Sequence, residues 1–253
     1  MIANAESIEI ETASKPKVSI LMIHGFTGSV ASIAPWVKTM ATFGFSVSAP
    51  LLPGHGTSWQ QLNKTKWSDW FNCVEQEFKK LRGQSNQVFV AGFSMGGSLA
   101  LRLAQIYGKD IAGLILINPS IEDKRLIQRF VPLLQFFLPR SSRSARKNGT
   151  DVAAPNPPKH SYGVIPLKAL ASLQKLWKLV QANLYLINQP IMIGISPQDH
   201  VVNPSSKITL LAHINSEKIK SVEFANSYHN VALDYDLEKL CIETREFINS
   251  NLN

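Results

Sequence analysis

The sequence predicts an α/β fold: a mostly parallel central sheet flanked by helices and interrupted by an inserted helical cap. Three observations carry that prediction. Short apolar runs of strand length recur along the 253 residues. Amphipathic runs of helical period lie between them, the alternation that builds a parallel sheet covered on both faces. The rhythm fails once, between Pro119 and Pro190, where charge and composition change together.

Taken in order, Ile8, Ile10 and Thr12 alternate with Glu9 and Glu11, as an edge strand would. Residues 18–23 form a continuous apolar run of the kind a strand buried on both faces requires. Residues 45–49, 88–91, 112–117, 191–195 and 219–224 read as further strands. The clearest helix spans 66–81, where Trp67, Trp70, Phe71, Val74, Phe78 and Leu81 recur at steps of three and four and mark one buried face. Residues 96–107, 204–213 (Asn203 as N-cap, Pro204 in the first turn) and 234–249 read as helices too, with Asp234 as an ordinary helix-start acid.

The stretch that breaks the rhythm contains an apolar run from Phe130 to Leu138, a basic loop, the prolines Pro155, Pro157 and Pro158, and a helix over 166–182. No strand pattern stands out in it. The reading is therefore a core at residues 1–119 and 189–253 with a cap at 120–188. Of 26 basic and 18 acidic side chains, 11 basic and three acidic ones lie between Pro119 and Pro190, so the net charge of +8 resides in that insertion and the rest of the chain is formally neutral. Two readings of the apolar run stay open. Its Phe and Leu side chains either pack down as the roof of a substrate pocket or, beside Arg140, Arg143, Arg146 and Lys147, face an anionic membrane.

A hydrophobic share of 45% with 17% charged residues excludes disorder and low complexity. No window reaches the roughly 18 apolar residues of a membrane span. Glu6, Glu9 and Glu11 stand where a secretory signal would be basic and then apolar, so a cytoplasmic location is the default expectation. Cys73 and Cys241 form neither a disulfide framework nor a zinc pattern. The insertion lacks a recognised nucleic-acid module, and neither nucleic acid, metal nor cofactor is expected as a partner.

The chemistry points to Gly92-Phe93-Ser94-Met95-Gly96. Gly-x-Ser-x-Gly alone matches a chain of this length by chance roughly one time in ten. Here an apolar strand leads in and a helix leads out, the setting in which a serine is held on a sharp, strained turn. Gly92 and Gly96 remove side chains that would collide across it. A serine hydroxyl needs a base, and the base an orienting group. Of six histidines, His24 and His55 lie in glycine-rich loops, His160 in the cap, His213 at a helix end and His200 directly after Asp199. His229, in the loop between the last strand and the last helix, is placed to reach over the sheet's carboxyl edge, and Asp199, about four residues past a strand end, supplies the third member.

These pieces, with Leu21-Met22-Ile23-His24-Gly25-Phe26-Thr27-Gly28, Pro53-Gly54-His55-Gly56 and Ser227-Tyr228-His229, resemble the α/β-hydrolase superfamily and, within it, bacterial carboxylesterases and monoacylglycerol lipases. The similarity runs from about residue 18 to 235; the cap matches only loosely, through Tyr162 and Ile165-Pro166. The resemblance implies an α/β-hydrolase fold, the catalytic order Ser94, Asp199, His229, and an oxyanion hole from the backbone N–H groups of Phe26 and Met95. Met95 at a helix start suits that role physically, since free N–H groups and the helix dipole meet there. The expected reaction is hydrolysis of a small-molecule carboxylic ester of short to medium acyl chain, monoacylglycerols included. An acyltransferase or thioesterase with the same triad, or a non-catalytic receptor of the same fold, is the alternative.

Overall fold

The computed structural model describes residues 4–12, 16–142, 151–158 and 160–252, and among them nine strands and eight α-helices are formed. The strands are β1 (Ile8–Ile10), β2 (Val18–Ile23), β3 (Ser46–Ala49), β4 (Gln87–Phe93), β5 (Gly113–Ile117), β6 (Arg140–Ser142), β7 (Val164–Pro166), β8 (Ile191–Ile195) and β9 (Ile219–Glu223). The helices are α1 (Ala34–Thr42), α2 (Trp59–Leu62), α3 (Trp67–Gln84), α4 (Met95–Tyr107), α5 (Val131–Leu134), α6 (Leu167–Gln181), α7 (Ser205–His213) and α8 (Leu237–Asn249).

Seven strands make one sheet in the order β1-β3-β2-β4-β5-β8-β9. Only β1 runs antiparallel, pairing Glu9 with Ser48 of β3. The apolar runs of β2 and β5 are buried throughout because helices cover both faces. Side chains alternate between two cores. Leu21, Ile23, Val88, Val90, Leu114 and Leu116 face α3, α4 and α6, whereas Ile20, Met22, Phe89, Ala91 and Ile115 face α1 and α8. Trp36 of α1 donates its indole N–H to Thr244 of α8 at 3.2 Å, which ties the second layer together.

The order reverses between β2 and β4: β3 lies to one side of this pair, and β5, β8 and β9 to the other. Loops leaving the carboxyl ends of β2 and β4 therefore diverge, and such a switch point opens the crevice in which α/β sheets bind ligands.

Two expectations need correction, and one of the two open readings of the apolar run falls. The inserted segment does contain strands: β6 and β7 pair antiparallel, Ser141 opposite Ile165. At three residues each they are too short to leave a period in the sequence. Asp234 is not a helix-start acid, since α8 begins at Leu237 with Asp236 as its N-cap. Asp234 instead accepts from the amides of Ala153, Ala154, Tyr228 and Tyr235 at 2.7–3.0 Å and binds the cap to the loop after β9. Finally, the apolar run does not roof a pocket. Phe130, Leu133, Phe136 and Phe137 are 56%, 59%, 76% and 75% exposed, and only Val131 of the run is buried. Arg140 is described, its guanidinium 5.0 Å from the Trp59 ring centroid; Arg143, Arg146 and Lys147 lie outside the described residues.

Candidate active site

Strand β4 delivers Ser94 into a turn with φ +55° and ψ −118°, a conformation that side-chain-bearing residues rarely hold. Its neighbours fix it there. Ser94 N donates to Ile117 O at 3.0 Å, and Ser94 O accepts from Gly97 N at 2.9 Å and Ser120 N at 3.1 Å. The two glycines of the motif are required by contact: a Cβ on Gly92 would lie 2.3 Å from Gly96 O, and one on Gly96 would lie 2.1 Å from Ile23 O. Helix α4 thus starts hard against the ends of β4 and β2, leaving the serine at the sheet's carboxyl edge.

Next to it, the His229 ring packs on Phe93 with centroids 4.8 Å apart. His229 Nδ1–H donates to Asp199 Oδ2 at 2.7 Å, while Asp199 Oδ1 accepts from the amides of Val201 at 2.6 Å and Val202 at 3.0 Å. Burial pushes the Asp199 carboxyl up, but the charge of His229 and the hydrogen bonds from His229, Val202 and Val201 outweigh it and leave the group below its ordinary value. It is held ionised, and its hydrogen bond keeps the imidazole proton on Nδ1, so that Nε2 is free to accept. No hydrogen bond joins Ser94 Oγ to His229 among the described residues.

Ser94, His229, Phe26 and Met95 line one cavity of about 250 Å³, and Asp199 stands behind the histidine. The Met95 amide, first in α4, has no intrahelical acceptor. Phe26 follows Gly25, where a Cβ would sit 3.1 Å from Ser94 Cβ, and its amide donates to no acceptor among the described residues. The remaining wall is apolar on one side, with Ile165, Leu170, Leu173 and Trp177 from the cap.

Among the described residues the other histidines make no hydrogen bond to Ser94 or Asp199, although His160 and His200 line the same cavity. His24 donates from Nδ1 to Gly25 O at 3.0 Å and accepts at Nε2 from Leu52 N at 3.1 Å, joining the loops after β2 and β3. Burial lowers its pKa to about 4, with the Gly25 hydrogen bond opposing. His55 contacts Pro53 O at 3.2 Å within its own loop and stacks edge-on against His24 and Trp70; burial, then the charge of His24, keeps it well below its ordinary value. His213 bonds Thr209 O on an exposed face, and His160 bonds Pro158 O and meets Asn230. His200 pairs with Asp151 at 3.0 Å.

Two site neighbours escape sequence reasoning. Asn118, buried at the end of β5, donates to His229 O at 2.7 Å and accepts from Ser196 N at 2.8 Å. An Asn-Pro step closing a strand is a visible turn signal, and its place at the sheet's carboxyl edge could have marked it. Asp151 reaches the loops of Asp199 and His229 from the cap, and nothing in its Pro-rich surroundings announces it.

Among the described residues no three His, Cys, Asp or Glu side chains gather as a metal site, and no helix is long and apolar enough to cross a membrane. Sheet order, strained serine turn and inserted cap together define an α/β-hydrolase fold, and the chain is a serine hydrolase. It belongs to the family described as serine aminopeptidase, S33, whose model matches residues 14–236. It is similar to the thermostable monoacylglycerol lipase of Bacillus sp. (strain H-257), with 33% identity over 235 residues, covering 93% of this chain and 92% of that one. It is also similar to a carboxylesterase of Bacillus subtilis (strain 168), at 23% identity covering 91% and 92%. A solved structure from work on LipS and LipT, two metagenome-derived lipolytic enzymes, superposes with a TM-score of 0.91 at 25% identity, covering 99% of each chain.

Proposed function

We propose that this protein hydrolyses carboxylic esters of short to medium acyl chain, monoacylglycerols among them, from a core of residues 1–119 and 189–253 under a cap of 120–188. Ser94 is the nucleophile, His229 the base, Asp199 the orienting acid, and the Phe26 and Met95 amides the oxyanion hole. The observation that carries this reading is the 2.7 Å Asp199–His229 hydrogen bond in the same cavity as a serine forced to φ +55°.

His229 Nε2 takes the Ser94 hydroxyl proton as Oγ bonds to the ester carbonyl carbon. The carbonyl oxygen becomes an oxyanion facing the two amides, where fixed donors are worth about 3 kcal/mol each in comparable sites. Collapse breaks the bond to the alkoxy oxygen, which leaves as alcohol with the proton from His229, and the acyl group stays on Ser94. Water then gives a proton to the same nitrogen and attacks the acyl carbon; its collapse frees the acid and returns the proton to Ser94.

The size of the pocket supports a small ester. At about 250 Å³ it sits just below the roughly 300–1,000 Å³ of ordinary small-molecule sites and has little room for three acyl chains. The similarity to a monoacylglycerol lipase and a carboxylesterase points to the same substrates, while the family's description raises amide cleavage as the rival. A panel of p-nitrophenyl esters and monoacylglycerols of graded length, run beside amino-acid p-nitroanilides, tests this. Turnover of the esters with none of the anilides is expected, and the reverse overturns it. Adding a competing alcohol and identifying the products separates hydrolase from acyltransferase.

The exposed side chains of Leu126, Ile127, Phe130, Leu133, Phe136 and Phe137 support a second element: the cap docks on an anionic lipid surface and takes its substrate there. An apolar patch of this kind next to basic residues suits an interface, each basic group near such a surface adding about 1 kcal/mol.

A further inference from the structure

We infer that Asp151, carried by the cap, is a positioning residue for the proposed base His229. Its carboxylate clamps together the two loops that bear Asp199 and His229. Oδ2 accepts from the peptide N–H of His200 at 3.1 Å and from that of His229 at 3.3 Å. Oδ1 accepts from His200 Nδ1–H at 3.0 Å, and the Asp151 carbonyl accepts from Asn230 N at 3.0 Å. One side chain, 5% exposed, thus touches the residue after the triad acid and the triad histidine itself.

The sheet alone does not fix these loops. The β8–β9 ladder ends at Ile195 and Glu223, four residues short of Asp199 and six short of His229. Beyond it, the His229 peptide is held from both sides: Asn118 of the core donates to its carbonyl at 2.7 Å and Asp151 of the cap accepts from its amide. The clamp is itself anchored by Asp234, which accepts from Ala153 N at 2.7 Å, Ala154 N at 3.0 Å and Tyr228 N at 2.9 Å and so holds the cap segment against the residue before the histidine. Charge-assisted bonds to a buried carboxylate are about twice as strong as neutral ones, and removing the carboxylate leaves the buried His229 amide and the part-buried His200 amide without their acceptor. Alignment of the base therefore depends on a cap residue, although the other proposed catalytic groups come from the core.

This rests on His229 being the base, so the test includes a control for that assignment. In the full chain, with p-nitrophenyl butyrate as substrate, Asp151→Ala removes the acceptor shared by the His200 and His229 amides. It is expected to lower kcat by about 10- to 100-fold, the cost of a misplacement near 1 Å, with KM within about twofold. Fluorophosphonate labelling of Ser94 should slow in parallel, and the low-field proton signal of the His229–Asp199 hydrogen bond should move. Should Asp151→Ala not fold, Asp151→Glu carries the same test: it keeps the charge, displaces it, and must lower kcat at unchanged KM. Wild-type kcat in the variant that folds, or a loss that merely tracks the folded fraction, overturns the inference. Turnover surviving in Ser94→Ala would instead overturn the triad reading beneath it.

Discussion

The loops of the core and the segment of the cap differ in what holds them, and so in what their sequences reveal. In the core, position is enforced backbone against backbone. Gly92 and Gly96 leave no room for a methyl group, and Ser94 is pinned by three main-chain hydrogen bonds. In the cap, position comes from single side chains reaching across, Asp234 to Ala153 and Asp151 to His229. The first kind of constraint writes a motif. The second leaves an ordinary aspartate in a polar stretch.

The largest effects should break the core. Ser94→Ala is expected to lose on the order of 10⁶ in ester turnover, as nucleophile removal does in serine proteases, with its unfolding curve nearly unchanged. Asp199→Asn should lose on the order of 10⁴ in kcat, because an amide no longer holds the imidazole in the required tautomer. Asp234→Asn sharpens the contrast. It takes a carboxylate away from four amides and should cost roughly 1–3 kcal/mol of stability in urea denaturation while lowering kcat far less than Asp199→Asn. Near-full activity in Asp199→Asn with a dead but folded Asp234→Asn would exchange their roles.

These residues mark how far the sequence could be read. Ser94, Asp199 and His229 are legible as candidates because the chemistry requires those types at strand ends, in an order that survives any loop length. Asn118 needed the knowledge that β5 lies beside β8, which periodicity does not supply. Helix α1 was missed: its inward face is only Trp36, Val37 and Met40. The run from Phe130 to Leu138 is apolar on every side, so it has no period to say which way it faces; only the folded chain shows Phe136 and Phe137 outward.

A smaller effect concerns acid stability of the core loops. Buried His24 has a folded pKa of about 4 against roughly 6.5 for the free side chain. Below pH 6.5 the unfolded chain binds a proton that the folded one refuses until about pH 4, so stability present at neutral pH is lost across that window, roughly 3 kcal/mol in all. Asp199, held below its ordinary value, adds a loss further down, as pH falls through its folded pKa. Urea unfolding at pH 7 and pH 5 should show the first drop, and His24→Asn should show a smaller one, the remainder belonging to buried His55; an equal drop in both proteins would contradict it.

The smallest effect belongs to the cap surface. Anionic vesicles at low salt should raise hydrolysis of a medium-chain monoacylglycerol several-fold, and physiological salt, with screening over about 8 Å, should reverse this. Phe136→Ser with Phe137→Ser should abolish the rise and spare p-nitrophenyl acetate turnover. A wild-type rate indifferent to vesicle charge at low salt removes the lipid surface from the account.

Peptide mass mapping after an organophosphate ester inactivates the enzyme reports whether Ser94 is the residue that carries the acyl group. One phosphoryl adduct per chain is expected, on Ser94, formed at a rate that collapses in Asp199→Asn and absent in Ser94→Ala. An adduct on another residue, or inactivation that leaves Ser94 unmodified, would contradict that assignment.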